Sequence, residues 1–318
     1  MEKISRKSFV KGALGLGAVG ILAGCGSSAD STAASASSTA APAEKKEFTF
    51  ADTVRWDAQY DVVVMGMGAA GMVAAKTAAD NGAKVVIVEK CEEGKAGGNT
   101  KVCGQLFAYA NGDKDAAKSY YTALAGGRDI EPEIIDAISE GVANMADILA
   151  DEFGFNKDEY MDWTGVNVVG TNMGAMSPEY PEMPGHEKMA LWTTHAGASD
   201  GYLYQGLKQN VTDRVDAIDV WYSSPAKSLI QDPVTKTVVG VTVERDGKEM
   251  NIRALNGVCI CTGGFECNKE MVQHYLNVIN YAARAASTTP ATASRWPRLW
   301  VQTCGTWTAM RACLVWAV

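Results

Sequence analysis

An α/β fold organised on a parallel sheet is predicted by three features of the sequence. Residues Tyr60–Lys90 run strand, glycine turn, helix, strand; a second strand leading to a glycine pair and a helix lies near residue 260; a hairpin signal stands between them. The 318 residues, 47% of them hydrophobic, suffice for one large domain or two ordinary ones. A formal charge of −8 argues against a protein that tracks nucleic-acid phosphates. Three histidines leave little room for a histidine-rich metal site, and no metal is expected.

The first unit is the most informative. Val62, Val63 and Val64 form a buried-strand run that leads directly into Gly66-x-Gly68-x-x-Gly71. Gly66 permits a tight turn, Gly68 lets backbone approach a pyrophosphate, and Gly71 lets the following helix pack closely on the strand. That helix, alanine-rich and ended by Gly82, turns its free N–H groups and partial positive charge toward the phosphates. The next strand, Val85 to Val88, ends at Glu89, placed to accept hydrogen bonds from two ribose hydroxyls. Together these elements predict an adenine dinucleotide site.

Which dinucleotide binds is decided further along. Immediately after the second strand comes "GKAGGNTKVCGQL", where a nicotinamide enzyme would usually continue into another βα unit. Gly97 and Gly98 are flexible, and Asn99 and Thr100 are polar, which suits wrapping the second half of a ligand; alone the stretch also reads as a surface turn. Downstream, the strand Val258–Cys261 leads into Thr262-Gly263-Gly264 and a helix, bringing backbone to the cofactor from the other side. Three separate approaches favour FAD over NAD. An NAD-linked dehydrogenase using the first turn alone is the alternative.

These motifs together resemble the FAD-dependent oxidoreductase 2 family, the flavoproteins of fumarate reductase and succinate dehydrogenase. The nearest branch is the exported one of fumarate, urocanate and related enoate reductases. The resemblance spans about residues 58–290 and rests on the three glycine motifs, Glu89, Phe265 and Asn268. It implies a Rossmann-like, glutathione-reductase-like three-layer ββα domain with an inserted β-meander and an incomplete capping domain. It also implies FAD contacts from Gly66, Gly68, Ala69, Ala70, Gly71, Glu89, Lys90, Gly97, Gly98, Asn99, Thr100 and Gly104. The backbone of Ala226 would touch the adenine end, and Thr262, Gly263 and Gly264 would close the other side. The implied activity is hydride transfer to an activated C=C bond of a small unsaturated acid, with a separate electron-donor protein or quinol-linked cytochrome as partner. In such relatives the substrate-binding and proton-donating groups lie downstream of the Thr262–Phe265 motif, so no catalytic residue is named.

The remaining segments fit this picture. Residues Asp115 to Phe155 read as two amphipathic helices separated by Gly126-Gly127. Asp232-Pro233 turns the chain, Val238 to Val243 forms a strand, and Asp246-Gly247 makes a hairpin. His186 and His195 lie in a polar, glycine-containing loop, solvated or else facing the flavin; His274 reads as a surface residue. Cys259 and Cys261 read as small buried core residues, and the cysteine spacing offers neither C-x-x-C nor C-x-x-C-H.

The two ends differ from the middle. Residues 1–24 have a basic start, an apolar run and Leu22-Ala23-Gly24 before Cys25, the layout of an export signal with a lipobox. "SRKSFVK" resembles a twin-arginine motif with Lys7 in place of the second arginine. Cys25 is the expected lipidation site, which anchors the protein to the outer face of the cytoplasmic membrane. Residues 25–55 read as a Ser/Ala-rich tether and 56–290 as the FAD-binding domain. Residues 291–318 hold Trp296, Trp300, Trp307 and Trp316 and no acidic residue. Back-translated and read one base earlier, the genetic code permits "GNGEPLAQAVGADLWHM" over the tail, with Ala, Gly and Asp forced across Trp296–Pro297, Trp300–Val301 and Trp307–Thr308, and this string resembles the next segment of such flavoproteins. A frame slip near Pro290 is the expectation, and a genuine divergent C-terminus the alternative. A slip would leave a non-catalytic, truncated flavin-binding lipoprotein.

Overall fold

The computed structural model describes residues 48–165, 180–197 and 200–280. The predicted signal, Cys25, most of the tether and the 291–318 tail with its frame slip lie outside the described residues. The chain divides into two units, Met1–Val54 and Arg55–Val318. Within the stretch read as tether, Phe50–Thr53 form one 3-10 turn, where Thr49 and Asp52 cap each other's backbone.

The second unit holds the fold. Its strands are β1 (Ala58–Met65), β2 (Val85–Val88), β3 (Leu106–Tyr109), β4 (Met161–Asp162), β5 (Ala190–Thr193), β6 (Ile218–Trp221), β7 (Ala226–Gln231), β8 (Val238–Arg245) and β9 (Lys248–Ile260). Its helices are α1 (Ala69–Asp80), α2 (Gly98–Val102), α3 (Lys114–Leu124), α4 (Pro132–Ala143), α5 (Met145–Asp151), α6 (Tyr202–Thr212) and α7 (Lys269–Leu276). The main sheet has the order β6-β2-β1-β9-β8-β7, and β6, β2, β1 and β9 run parallel.

Alternation along β1 and β2 feeds two separate cores. Val62, Val64, Val85 and Ile87 face Met72 and Ala75 of α1 and Leu203, Leu207 and Val211 of α6. Val63, Met65, Val86 and Val88 face the other way, onto Val241 and Val243 of β8 and Ile252 and Ala254 of β9. Helices thus cover one side of the parallel sheet and the meander covers the other, which produces the three layers. Each fully buried valine contributes about 1.5–3 kcal/mol relative to exposure.

The meander is tied to the parallel sheet by one strand. The first part of β9 pairs antiparallel with β8, from Arg245↔Lys248 to Gly240↔Arg253. Its later part runs parallel to β1, ending at Met65↔Ile260, with a bulge opposite Tyr60–Val62. The hairpin falls at Asp246-Gly247, both at positive φ (51° and 72°), as a two-residue loop of the mirror-image turn type requires.

Two expectations are corrected. The second of the two predicted helices is broken: α4 stops at Asn144, whose side-chain amide donates to the Glu140 carbonyl and competes with the helix. Residues 190–193, read as loop, form β5, the middle strand of a small antiparallel sheet with β3 and β4.

Candidate cofactor cleft

The ends of β1, β2 and β9 open on one side into a cleft of about 350 Å³, inside the range of small-molecule sites. Twelve residues singled out from the sequence line it: Gly66, Gly68, Ala69, Ala70, Glu89, Lys90, Gly98, Asn99, Thr100, Ala226, Thr262 and Gly263. Gly71, Gly97, Gly104 and Gly264 stand outside the lining. The sequence reading omitted Met65, Met67, Val88, Cys91, Ile260 and Cys261, which also line it.

Gly66, Gly71 and Gly97 each have a separate steric reason. A Cβ on Gly71 would lie 1.9 Å from the Gly66 carbonyl oxygen, so α1 can sit this close to β1 only without a side chain there. Gly66 has φ +99°, and a Cβ would lie 2.5 Å from the Cys261 carbonyl oxygen. Gly97 (φ +118°) is pressed against the Tyr204 ring. At Gly68, the N-cap of α1, the nearest atoms to a Cβ are Thr100 Oγ1 at 3.7 Å and the Gly97 carbonyl at 3.9 Å. The gap between α1 and the 97–100 turn is therefore left open by the missing side chain.

Polar contacts tie the three motifs together. Glu89 is buried, and its two carboxylate oxygens accept the backbone N–H groups of Met67 and Cys91, each at 2.8 Å. An ionised carboxylate offers about four lone-pair sites, so acceptor capacity remains for ligand hydroxyls. The Ala69 N–H donates to Thr100 Oγ1 at 2.9 Å, a cap for α1 supplied from 31 residues away. The Asn99 side-chain amide donates to Glu266 Oε1 at 2.7 Å. Gln105 is fully buried at φ 62°; its amide donates to the carbonyls of Thr100 and Cys103 and accepts the Leu203 N–H. Thr100, Gln105 and Glu266 carry these links, and the sequence reading gave no such role to any of them.

The cysteine expectation holds for packing and is corrected for burial: Cys259 and Cys261 lie against the helix-side core. Cys259 and Cys261 are only half-buried, and Cys261 faces the cleft. Burial still pushes the Cys261 thiol up to about 11, so it remains protonated at neutral pH. His195 follows β5 and does not line the cleft. Its Nε2 lies 2.7 Å from Asp200 Oδ2, its ring stacks on Tyr202 at 4.1 Å, and its Nδ1 is buried without a partner. The Tyr202 N–H, and then His195, hold the Asp200 carboxyl below the usual range. The pair anchors the start of α6. His186 makes only a 4.0 Å approach to Glu187, and His274 is exposed, as read.

FAD fits this arrangement. Gly68 leaves the cradle open at a helix N-terminus for a diphosphate, and Glu89 supplies a buried acceptor one strand away.

Comparison with known proteins agrees. Residues 61–293 match the family described as FAD binding domain. The chain is 30% identical to NADH:fumarate oxidoreductase of Klebsiella pneumoniae (strain 342) over 225 residues, 68% of this chain and 22% of that protein. It is 25% identical to 3-oxosteroid 1-dehydrogenase of Comamonas testosteroni over 284 residues, 69% of this chain and 49% of the other. The crystal structure of 3-ketosteroid delta1-dehydrogenase from Sterolibacterium denitrificans, in complex with 1,4-androstadiene-3,17-dione, superposes with TM-score 0.61 at 20% identity. That match covers 76% of this chain and 54% of that one, and it speaks to the fold. The chain thus spans less than half the length of these two curated relatives.

Proposed function

Because this chain belongs to the FAD-dependent oxidoreductase 2 family, fumarate-reductase-like, with FAD as its cofactor, we propose that the parent activity is reduction of an activated C=C bond in a small unsaturated acid. The observation that carries this reading is convergence: three glycine motifs, spread over about 200 residues, line one cleft. Bound there, FAD supplies two-electron hydride exchange with such a bond.

The chain's own residues do the holding. Gly66, Gly68, Ala69 and Ala70 bring backbone and the α1 N-terminus to the diphosphate. Glu89 accepts from the ribose hydroxyls while fastened to the Met67 and Cys91 amides. Lys90 and the backbone of Ala226 flank the adenine end, and Gly98, Asn99, Thr100, Thr262 and Gly263 enclose the remainder. Gly71, Gly97 and Gly264 act from behind this wall as close-packing positions. In this reading the protein is exported and held by lipid on Cys25 at the outer face of the cytoplasmic membrane. Electrons arrive from a separate donor protein or a quinol-linked cytochrome.

The similarity to 3-oxosteroid 1-dehydrogenase favours a second reading, in which the reacting bond lies beside a ring ketone rather than a carboxylate. One experiment separates the two. Purified protein is saturated with FAD, then assayed with reduced viologen and fumarate- or urocanate-type acids, and with a 3-oxosteroid and a dye acceptor. Turnover of the acids supports the first reading and turnover of the steroid the second. Flavin bound without turnover of either supports a non-catalytic flavin-binding protein. A protein that is folded, colourless and indifferent to added FAD overturns all three.

A further inference from the structure

The segment after the third glycine motif contains a buried acid that the cofactor reading does not use. Glu266 is 7% exposed and lies outside the cleft lining, directly behind Asn99. Its Oε1 accepts the Asn99 amide N–H at 2.7 Å. Its Oε2 folds back over its own glycine pair, and a Cβ on Gly264 would stand 2.4 Å from that oxygen. A side chain at Gly264 would therefore crowd the carboxylate oxygen opposite the one that meets Asn99. Phe265, 2% exposed, packs with Met271, Val272 and Leu276 and anchors the segment from the opposite side. Asn268 does different work, capping α7 by accepting the Met271 N–H.

The two polar residues of the 97–100 turn are thus held by different motifs. Thr100 is tied to the start of α1 through the Ala69 N–H, and Asn99 to the loop after β9 through Glu266. The turn needs both ties, because Gly97 and Gly98 ahead of it sit at φ +118° and +52° and constrain little by themselves.

We propose that Glu266 is a positioning residue for the cofactor: it fixes the side-chain amide of Asn99 and locks the 97–100 turn against the 262–264 loop before FAD arrives. A carboxylate only accepts hydrogen bonds, so Asn99 is obliged to turn its N–H toward it and its amide plane is set. Preorganising the wall of a site raises affinity by removing an ordering cost at binding. The inference rests on the reading that this cleft takes FAD.

The test is a set of FAD dissociation constants, measured by flavin fluorescence quenching on the full-length protein with thermal melting in parallel. E266A weakens FAD about tenfold or more, whereas E266Q, which keeps an acceptor oxygen in place, stays within about threefold of wild type. N99D sets two carboxylates against each other and weakens FAD about tenfold or more; N99D/E266Q restores a donor–acceptor pair of reversed polarity and recovers much of the loss. Recovery in the double variant is the outcome that a purely structural role for Glu266 does not give. Wild-type affinity in E266A, or losses in N99D and E266Q that simply add, overturns the inference while leaving the cofactor reading intact. Failure of the wild type to bind FAD overturns both. If E266A does not fold, N99D and its double variant decide.

Discussion

Gly66 and Gly71 show how single hydrogen-for-methyl changes control the cleft. G66A places a methyl against the Cys261 carbonyl at a backbone angle that disfavours side chains, and G71A drives one into the Gly66 carbonyl. Each is expected to cost about 1–3 kcal/mol in urea unfolding and to abolish FAD retention. G94A is the control: nothing lies within 4 Å of its Cβ, and its stability should stay within about 0.5 kcal/mol of wild type. At Glu89, a Gln substitution turns one of two acceptor oxygens into a donor facing a backbone N–H. The expected result is an FAD dissociation constant raised about 10- to 100-fold, read by titration; an unchanged constant removes Glu89 from the site. These residues were legible because their spacing is local: strand, turn and helix impose it within about thirty positions. Glu266, and the tie by which Thr100 holds α1, were not legible in this way. Their partners lie 167 and 31 positions away, and only the folded chain brings them together.

Between elements, α1 and α6 are joined by a charge cluster that no local pattern announces. Asp80, at the end of α1, accepts from Lys76 at 2.7 Å and from Arg214 at 2.5 Å. Lys76 is buried and lies over the Phe153 ring. The Arg214 guanidinium, ahead of Lys76, holds the Asp80 carboxyl below its usual range. With the folded value depressed, the stabilisation is complete above the unfolded value near 4 and is lost as pH falls through the folded one. Asp80 is itself exposed, so solvent screening reduces the effect, and D80N should destabilise by about 0.5–1 kcal/mol at pH 7. The gap between wild type and D80N, followed by urea unfolding from pH 7 to 3, should close on the acid side; a gap that stays constant would reject the assignment. The breaks in the element predictions have equally specific causes. Asn144 interrupts a helix by bonding backward, and β5 carries little periodic signal because it is only four residues long.

For the molecule as a whole, the sequence pattern conveyed single elements, and the family resemblance implied their three layers, but neither conveyed the joinery. The valine-rich β1 and β2, the hairpin at Asp246-Gly247 and the helix after Gly68 were each readable alone. That the meander and the parallel sheet share a single strand was not, because the change of partner along β9 leaves no mark in composition. Because FAD would bind only the folded form, saturation at a hundred times its dissociation constant should add about 2.7 kcal/mol of stability, visible as a rise of several degrees in melting temperature. No rise would mean that the cofactor does not engage the native fold. The shared strand also bears on biosynthesis. β1 meets β2 soon after leaving the ribosome, yet its opposite edge waits for β9; just ahead of β1, the Asp57 N–H donates to the Asn251 carbonyl across 194 positions. At about 5–20 residues per second, that edge stays bare for roughly 10–40 seconds, an interval in which a chaperone, or another nascent chain, can reach it first.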